Sequence, residues 1–455
     1  MGSKWSIVKL STCADFQEGY VNPSQKNSDY FGGTIKWLRA TDLNDGFVYE
    51  TSRTLSEAGY KSAGKSAQLF EPDTIGISKS GTIGRVGILK DYMCGNRAVI
   101  NVKVRQDKAD TRFIFNVLRH NRPAIETLAI GSVQPNLYTS ALGSLDLELP
   151  PLPEQKAIAH ILGSLDDKIE LNRQMNATLE GMAQALFKSW FVDFDPVIDN
   201  ALAAANPIPD ALAARAQVRR QLLADGRANR EAAKPFPATF YFAEELGWIP
   251  EGWKAIVLNN AIQINPKVTL SKGTIATYAD MKSLPTDGYN IDGVIEKAYA
   301  GGAKFQNDDV LLARITPCLE NGKTGIVDFL ADSNAVGFGS TEFIVLRGKN
   351  EITLPYVACL AREQTFRLHC IQSMVGSSGR QRVQNSCFDS FHVAIPTELT
   401  TLTKFIANTN PAFQKMSKHA QESKTLANLR DTLLPKLISG ELRIPDAEKL
   451  VAEVL

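Results

Sequence analysis

The chain has 455 residues, 44% of them hydrophobic and 22% charged, with 50 Lys and Arg against 49 Asp and Glu. That composition belongs to a folded globular protein and excludes wholesale disorder and collagen-like repeats, and at about 150 residues per domain the length points to about three units. No run of about 18 uncharged apolar residues occurs, which excludes a membrane-spanning helix, and the near-zero net charge does not by itself announce a nucleic-acid binder. The N-terminus lacks the apolar run of a secretory signal. It fits only the loose myristoylation pattern, and a single acyl chain binds membranes marginally. Six thinly spread cysteines (Cys13, Cys94, Cys318, Cys359, Cys370, Cys387) form no CxxC pair, and five histidines (His120, His160, His369, His392, His419) form no HExxH cluster. Reduced cytosolic thiols are the expectation, with neither a disulfide framework nor a metal site.

In chain order, residues 1–150 carry 18 basic and 15 acidic side chains and read as a mixed α+β domain. Short β-rich runs such as Ile75-Gly76-Ile77 and Val99-Ile100-Asn101-Val102 lie between Gly-rich turns, with a helix near Phe113–Arg119. Within this stretch Gly59-Tyr60-Lys61-Ser62-Ala63-Gly64-Lys65-Ser66 matches the phosphate-cradling GxxxxGKS pattern. That motif needs a buried strand before it and a long helix after it. Thr54-Leu55-Ser56-Glu57-Ala58 is no core strand and Pro72 leaves little room for a helix, so the match is read as accidental.

Residues 151–195 follow Pro150-Pro151-Leu152-Pro153 and open a helix at Glu154 and Gln155, proline being tolerated in a first turn. Ile158, Leu165, Asn172, Leu179 and Leu186 recur every seven residues, with Ile161, Met175 and Met182 three residues on. This is a heptad seam with one polar a position, and it closes at Trp190-Phe191-Val192-Asp193-Phe194-Asp195-Pro196. Residues 196–247 are Ala-rich with Pro207, Pro209, Pro235 and Pro237 and read as a connector holding one short helix over Asp210–Ala224. Residues 248–396 return to the α+β pattern, with Phe343-Ile344-Val345-Leu346 as a strand and a helical stretch over Tyr356–Arg367. Residues 397–455 form a second amphipathic helix through Leu402, Phe405, Ile406, Phe413, Met416, Leu426, Leu433 and Leu437, stopping at Ser439-Gly440, with a tail beyond. The first helical segment has 4 basic and 7 acidic residues and the second, to 440, has 6 and 3. Opposite charge favours an antiparallel pair; two separate amphipathic helices, each on its own domain, is the alternative.

The chain repeats itself once. Trp5-Ser6-Ile7-Val8-Lys9-Leu10 recurs as Trp253-Lys254-Ala255-Ile256-Val257-Leu258, and Gly33-Thr34-Ile35 as Gly273-Thr274-Ile275, with Trp37 echoed by Tyr278. Asp73 through Gly84-Arg85-Val86-Gly87 matches Asp309 through Gly322-Lys323-Thr324-Gly325. Gly131-Ser132 matches Gly376-Ser377, and Leu149-Pro150 matches Ile395-Pro396. The common order and nearly constant offset indicate a duplication. The expected fold is therefore two similar α/β domains, at 1–150 and 248–396, separated by two long helices at 151–195 and 397–455 that pair as an antiparallel coiled coil.

No Asn/Asp-Pro-Pro-Tyr/Phe run for amino methylation and no strand–GxG–helix unit for a nucleoside cofactor appears, so no catalytic machinery is visible. What remains are paired Gly/Ser/Thr loops with basic and amide side chains. Lys79, Ser80, Thr82 and Arg85 are answered by Arg314, Thr316 and Lys323; Gln134 and Asn136 are answered by Ser378, Arg380, Gln381 and Arg382. Glycine lets backbone approach a phosphate, Ser/Thr and Lys contact phosphate oxygens, and Arg, Gln and Asn read base edges bidentately. Ordinary surface turns would show the same residues.

The sequence resembles the DNA-specificity subunit of type I restriction–modification systems. The resemblance rests on Leu149-Pro150-Pro151-Leu152-Pro153-Glu154-Gln155, on Ile169-Glu170-Leu171-Asn172, and on Ala185-Leu186-Phe187-Lys188-Ser189 running into the Trp190–Pro196 motif. Gly247-Trp248-Ile249-Pro250-Glu251-Gly252-Trp253 opens the second half, and Leu429-Arg430-Asp431-Thr432-Leu433-Leu434-Pro435-Lys436-Leu437-Ile438-Ser439-Gly440-Glu441-Leu442 closes it. The resemblance implies two target-recognition domains with the paired helices as spacer, and a non-catalytic chain in the cytoplasm that binds double-stranded DNA. It further implies two modification subunits that bring S-adenosylmethionine and methylate adenine, and motor–nuclease subunits, with ATP and magnesium also on the partners. The recognition domains vary within that family, so the likeness supplies no base-contacting residues. The near-neutral charge departs from what a lone DNA binder needs, and partners would supply part of the phosphate neutralisation. A coiled-coil scaffold for other proteins, or an enzyme acting alone, are the alternatives.

Overall fold

The computed structural model describes residues 5–131, 135–377 and 379–455. The chain divides into two compact units, residues 1–172 with 421–455, and residues 173–420. Each unit is an α+β body completed by part of both long helices.

In the first unit, Ser6–Lys9 pairs antiparallel with Asp146–Leu149, joining the two ends of the first domain. A five-stranded sheet runs in the order Ala14–Glu18, Val99–Val104, Ile75–Ser78, Val86–Leu89, Phe47–Val48. Its central strands are near-continuous Val/Ile runs because both faces are covered: all four residues of Ile75–Ser78 and of Val86–Leu89 are buried. A smaller sheet holds Thr54–Leu55, Phe31–Leu38 and Cys94–Gly95, the last two parallel.

The second unit repeats the main lines of this plan, with four strands in each of its two larger sheets. Trp253–Val257 pairs antiparallel with His392–Pro396. Gln263–Ile264, Phe343–Arg347, Val310–Ala313 and Thr324–Ile326 form a sheet in the same order as the first four strands above. Ile275–Ala279 runs parallel to Gly337–Gly339, as Phe31–Leu38 does to Cys94–Gly95. Register improves one alignment made from sequence. Asp73 corresponds to Asp308, since both have positive φ and both amides donate to the neighbouring strand, to the Leu89 and Val327 carbonyls. Asp309 is instead fully buried, gripped by the Arg347 guanidinium at 2.6 and 2.8 Å. The expected helices appear as Thr111–His120 in the first domain and as two helices, Leu354–Arg362 and Gln364–Gln372, in the second. The break is at Glu363, whose extended backbone and side chain cap the second of them through the amides of Thr365 and Phe366.

The long helices span Leu152–Phe191 and Thr400–Ile438 and run antiparallel wherever they touch within a unit. In the first unit Ile158, Ile161, Leu165, Leu426, Leu433 and Leu437 share one buried core. Asn172 donates across the seam to Glu422 at 2.7 Å, beside a Lys168–Glu422 ion pair. In the second unit Asn176 donates to the Met416 carbonyl, and His419 Nδ1 lies 2.8 Å from the Asn176 side-chain oxygen. The seven-residue seam expected through Met182 does not hold: Met182 is 65% exposed, and Ala183, Phe187 and Trp190 are buried instead. A straight α-helix drifts by about 20° per heptad, and here the face follows 3.6-residue geometry onto the domain rather than supercoiling.

Two helices and a hairpin were not expected. The connector contains a helix, Asp195–Ala203, held by bidentate pairing of buried Asp195 with Arg215 at 2.6 Å and by Arg219 on Asp199, and it ends in a hairpin of Phe240–Ala243 with Gly247–Pro250. The tail contains the helix Ile444–Ala452, whose Ala447 and Val451 enter the first unit's core. The GKS-like segment is a five-residue helix and a single 3-10 turn, and a side chain at Gly59 would collide with the Tyr30 backbone. Glycine is there for close packing.

The Pro-rich entrance to the first long helix also has a structural role. Buried Gln155 donates to the Pro150 carbonyl at 2.8 Å and accepts from the Asp110 amide at 3.0 Å, tying the helix start to the cap of Thr111–His120. Gln155→Leu should cost about 1–3 kcal/mol by orphaning both groups. Chemical denaturation of the two proteins checks it, and an unchanged midpoint would refute the role.

Candidate nucleic-acid interface

Lys79 and Arg314 occupy one position of the duplicated fold. Each directly follows the central strand, each donates its amide across the sheet (to the Ala98 and Glu342 carbonyls), and each accepts from the residue closing a hairpin (Leu137 and Val383). Those hairpins match as well: Ile130 bridges Asn136 and Val375 bridges Arg382. Each domain thus presents a strand-end loop and a narrow hairpin side by side. Gln134 and Ser378 lie outside the described residues.

In the first domain the loop is held from within. The buried Ser78 hydroxyl donates to the Thr82 carbonyl at 2.6 Å and accepts from the Arg85 amide at 2.9 Å. Ser80 is half-buried and Thr82 exposed. The half-buried Arg85 side chain has no hydrogen-bond or ion-pair partner among the described residues. Lys79 is engaged, with its ammonium 2.9 Å from Glu18 and near the Tyr138 ring.

In the second domain the loop is longer and stitched to its hairpin. Thr316 donates its amide to the Gln381 carbonyl and accepts the Gln381 amide on its hydroxyl, both at 3.0 Å. Arg382 grips Glu342 with Nε and Nη2 at 2.7–2.9 Å, and its guanidinium holds that carboxyl below the usual carboxylate range. Lys323 donates to the Met281 carbonyl and Arg314 to the Val383 carbonyl, while the Arg314 Nε is buried without a partner among the described residues. The exposed Arg380 side chain and the half-buried Gln381 side chain have no partner among the described residues. Beside Arg314 lies an open groove of about 460 Å3 lined by Lys267, Lys304 and Thr341. The structure therefore brings Arg314, Thr316, Gln381 and Arg382 into one patch. Lys79, Arg314, Lys323 and Arg382 already have partners within the protein, so their contact with a ligand requires partner exchange, whereas Arg85 and Arg380 are available as they stand.

The acidic partners Glu18 and Glu342 had no sequence signature, because each comes from the end of a strand distant along the chain. Among the described residues no three His, Cys, Asp or Glu are grouped to hold a metal, and no helix is long and apolar enough to cross a membrane.

Residues 2–181 match the model of the type I restriction modification DNA specificity domain. Over its length the chain is 25% identical to the type I restriction enzyme MjaIX specificity subunit of Methanocaldococcus jannaschii, covering 97% of this chain and 94% of that one. Residues 2–181 thus resemble a type I DNA specificity domain, and nearly the whole chain is similar to a type I restriction enzyme specificity subunit. The HindI specificity subunit of Haemophilus influenzae is 28% identical, over 68% of this chain and 71% of that one. Among solved structures, the S subunit of a type I system from M. genitalium aligns with a TM-score of 0.46 at 17% identity, over 95% of this chain and 96% of that one.

The motifs that carried the resemblance turn out to be architectural. Trp190, Phe191 and Phe194 pack against Trp253, Phe236, Tyr356 and Phe405 with ring centroids 5.0–6.1 Å apart, and Arg430 pairs with Asp166.

Proposed function

We propose that this specificity subunit reads a bipartite, asymmetric DNA target, one short half-site per domain with an unread gap between. It directs adenine methylation and restriction by partner subunits without catalysing either. The observation that supports this best is the duplicated loop-and-hairpin patch: one backbone frame carrying Lys79, Arg85 and Asn136 in one copy and Arg314, Lys323 and Arg382 in the other. Two readers of one build with different donors suit two different half-sites. Ser80, Thr82, Thr316 and the lysines address phosphates; the arginines, Asn136 and Gln381 address bases. S-adenosylmethionine, ATP and magnesium belong to two modification subunits and to motor–nuclease subunits, which also supply part of the positive charge on DNA. A DNA target makes the cytoplasm its place of work, and the long helices act as spacer.

Purified alone, the chain should neither methylate nor cut DNA; turnover by the isolated chain would overturn the non-catalytic role. Assembled with its modification subunits, Arg380→Ala should lose about 1–3 kcal/mol of base discrimination in one half-site only. Arg380 suits this test better than Arg382, whose removal also strands Glu342. Methylation mapping reads the result, and equal loss in both halves would argue against separate readers. DNA binding that is absent or insensitive to salt in the assembled complex would instead favour a protein scaffold.

A further inference from the structure

The two hairpins share a feature that their polar residues do not explain. Ile130 is 67% exposed and Val375 63% exposed. By the bridges to Asn136 and Arg382 they stand at the same position of the duplicated fold, and each precedes a glycine of positive φ, Gly131 at +133° and Gly376 at +138°. A single exposed aliphatic residue needs no explanation. Two at one equivalent position, each beside the shared Gly-Ser pair but bridged to a different partner (Asn136 against Arg382), indicate a shared use. Both side chains are β-branched and stiff at χ1, so little freedom is lost when they are covered.

A two-stranded ribbon fits the major groove, and the one apolar group that base edges present there is the thymine C5 methyl. We infer that Ile130 and Val375 each pack against the C5 methyl of a thymine in the half-site read by their own domain. The inference rests on the DNA-reading role proposed above. Under that role each half-site contains a modified adenine, and therefore at least one thymine opposite it.

The test uses the full chain assembled with its modification subunits and duplexes in which one target thymine at a time is replaced by uracil, which removes only the methyl group. With the native chain, one uracil in each half-site should slow methylation about fourfold, as expected for one buried methyl. Ile130→Ala should abolish the uracil effect in one half-site and leave the other intact, and Val375→Ala should do the reverse. Three results would overturn the inference and leave the DNA-reading role standing. No uracil alters the rate; the alanine variants keep the native uracil response; or the variants weaken association with the modification subunits while the uracil response persists. Methylation without sequence preference would instead remove the underlying reading.

Discussion

Asp166→Ala is expected to destabilise the first unit by about 3–5 kcal/mol, the cost of leaving buried charge uncompensated. Asp166 Oδ1 accepts from Arg119 at 3.1 Å and from Arg430 at 2.7 Å, and all three side chains are almost entirely buried. Arg119 comes from the domain, Asp166 from the first long helix and Arg430 from the second, so one carboxylate fastens three elements. Burial pushes the Arg119 guanidinium down, and Asp166 is the main charge opposing it. Without that carboxylate, Arg430 keeps only the exposed Asp431 at 2.8 Å and Arg119 has no ion pair among the described residues, so two guanidiniums face each other in a low-dielectric site. Alanine is the best helix former, so the loss cannot be ascribed to helix propensity. For a unit of about 200 residues the midpoint should fall by about 6–20 °C in scanning calorimetry. Asp166→Asn, which keeps an acceptor oxygen and loses the charge, should lie between. A change below about 1 kcal/mol in the alanine variant would mean that the arginines escape to solvent and the network is no anchor.

The fold was legible where a periodic pattern met a single environment. The second long helix buries Leu402, Phe405, Phe413, Met416, Leu426, Leu433 and Leu437, all chosen from spacing alone. The duplication was legible because strand ends, turns and glycines recur in order, and the paired registers now make it explicit. Legibility failed where tertiary partners decide. Met182 fits a heptad yet faces solvent, because a domain surface rather than a second strand of coiled coil covers that part of the helix. Asp195–Ala203 lacked a helical signal strong enough to stand alone; its buried aspartates become tolerable only once Arg215 and Arg219 arrive from the next helix.

The recognition patch was legible as composition and position, and less so as chemistry. Glycine, hydroxyl and basic residues marked both loops in each domain. Whether a given cation is free is settled by strands that pass nearby: Glu18 engages Lys79 and Glu342 engages Arg382, and neither could be paired from spacing. Ile130 and Val375 were passed over because an aliphatic residue beside a glycine reads as an ordinary strand end. Only the matched bridges show that both are exposed at one equivalent place.

Adding four residues to each long helix, after Asn172 in the first and after Ala420 in the second, is expected to lengthen the unread gap by about 1–2 base pairs and to leave both half-sites unchanged. Four residues add about 6 Å at 1.5 Å per residue and turn the helix only slightly past one full turn, so the seam stays nearly in phase, as across a coiled-coil stutter. Duplex DNA rises about 3.4 Å per base pair, which sets the size of the change once some tilt of the helices is allowed. Both helices must be extended. Asn172 is matched to Glu422 and Ser423 in the first unit, and Asn176 to Met416 and His419 in the second. A single insertion between Thr178 and Leu179, the natural choice from the heptads alone, would slide Leu179–Phe191 by a turn against Phe405 and Met416 and uncover the aromatic core. Methylation mapping with the matched variant decides the matter. A longer gap with the same half-sites makes the helix pair the ruler; an unchanged gap, or altered half-sites, would show that the spacing is set elsewhere.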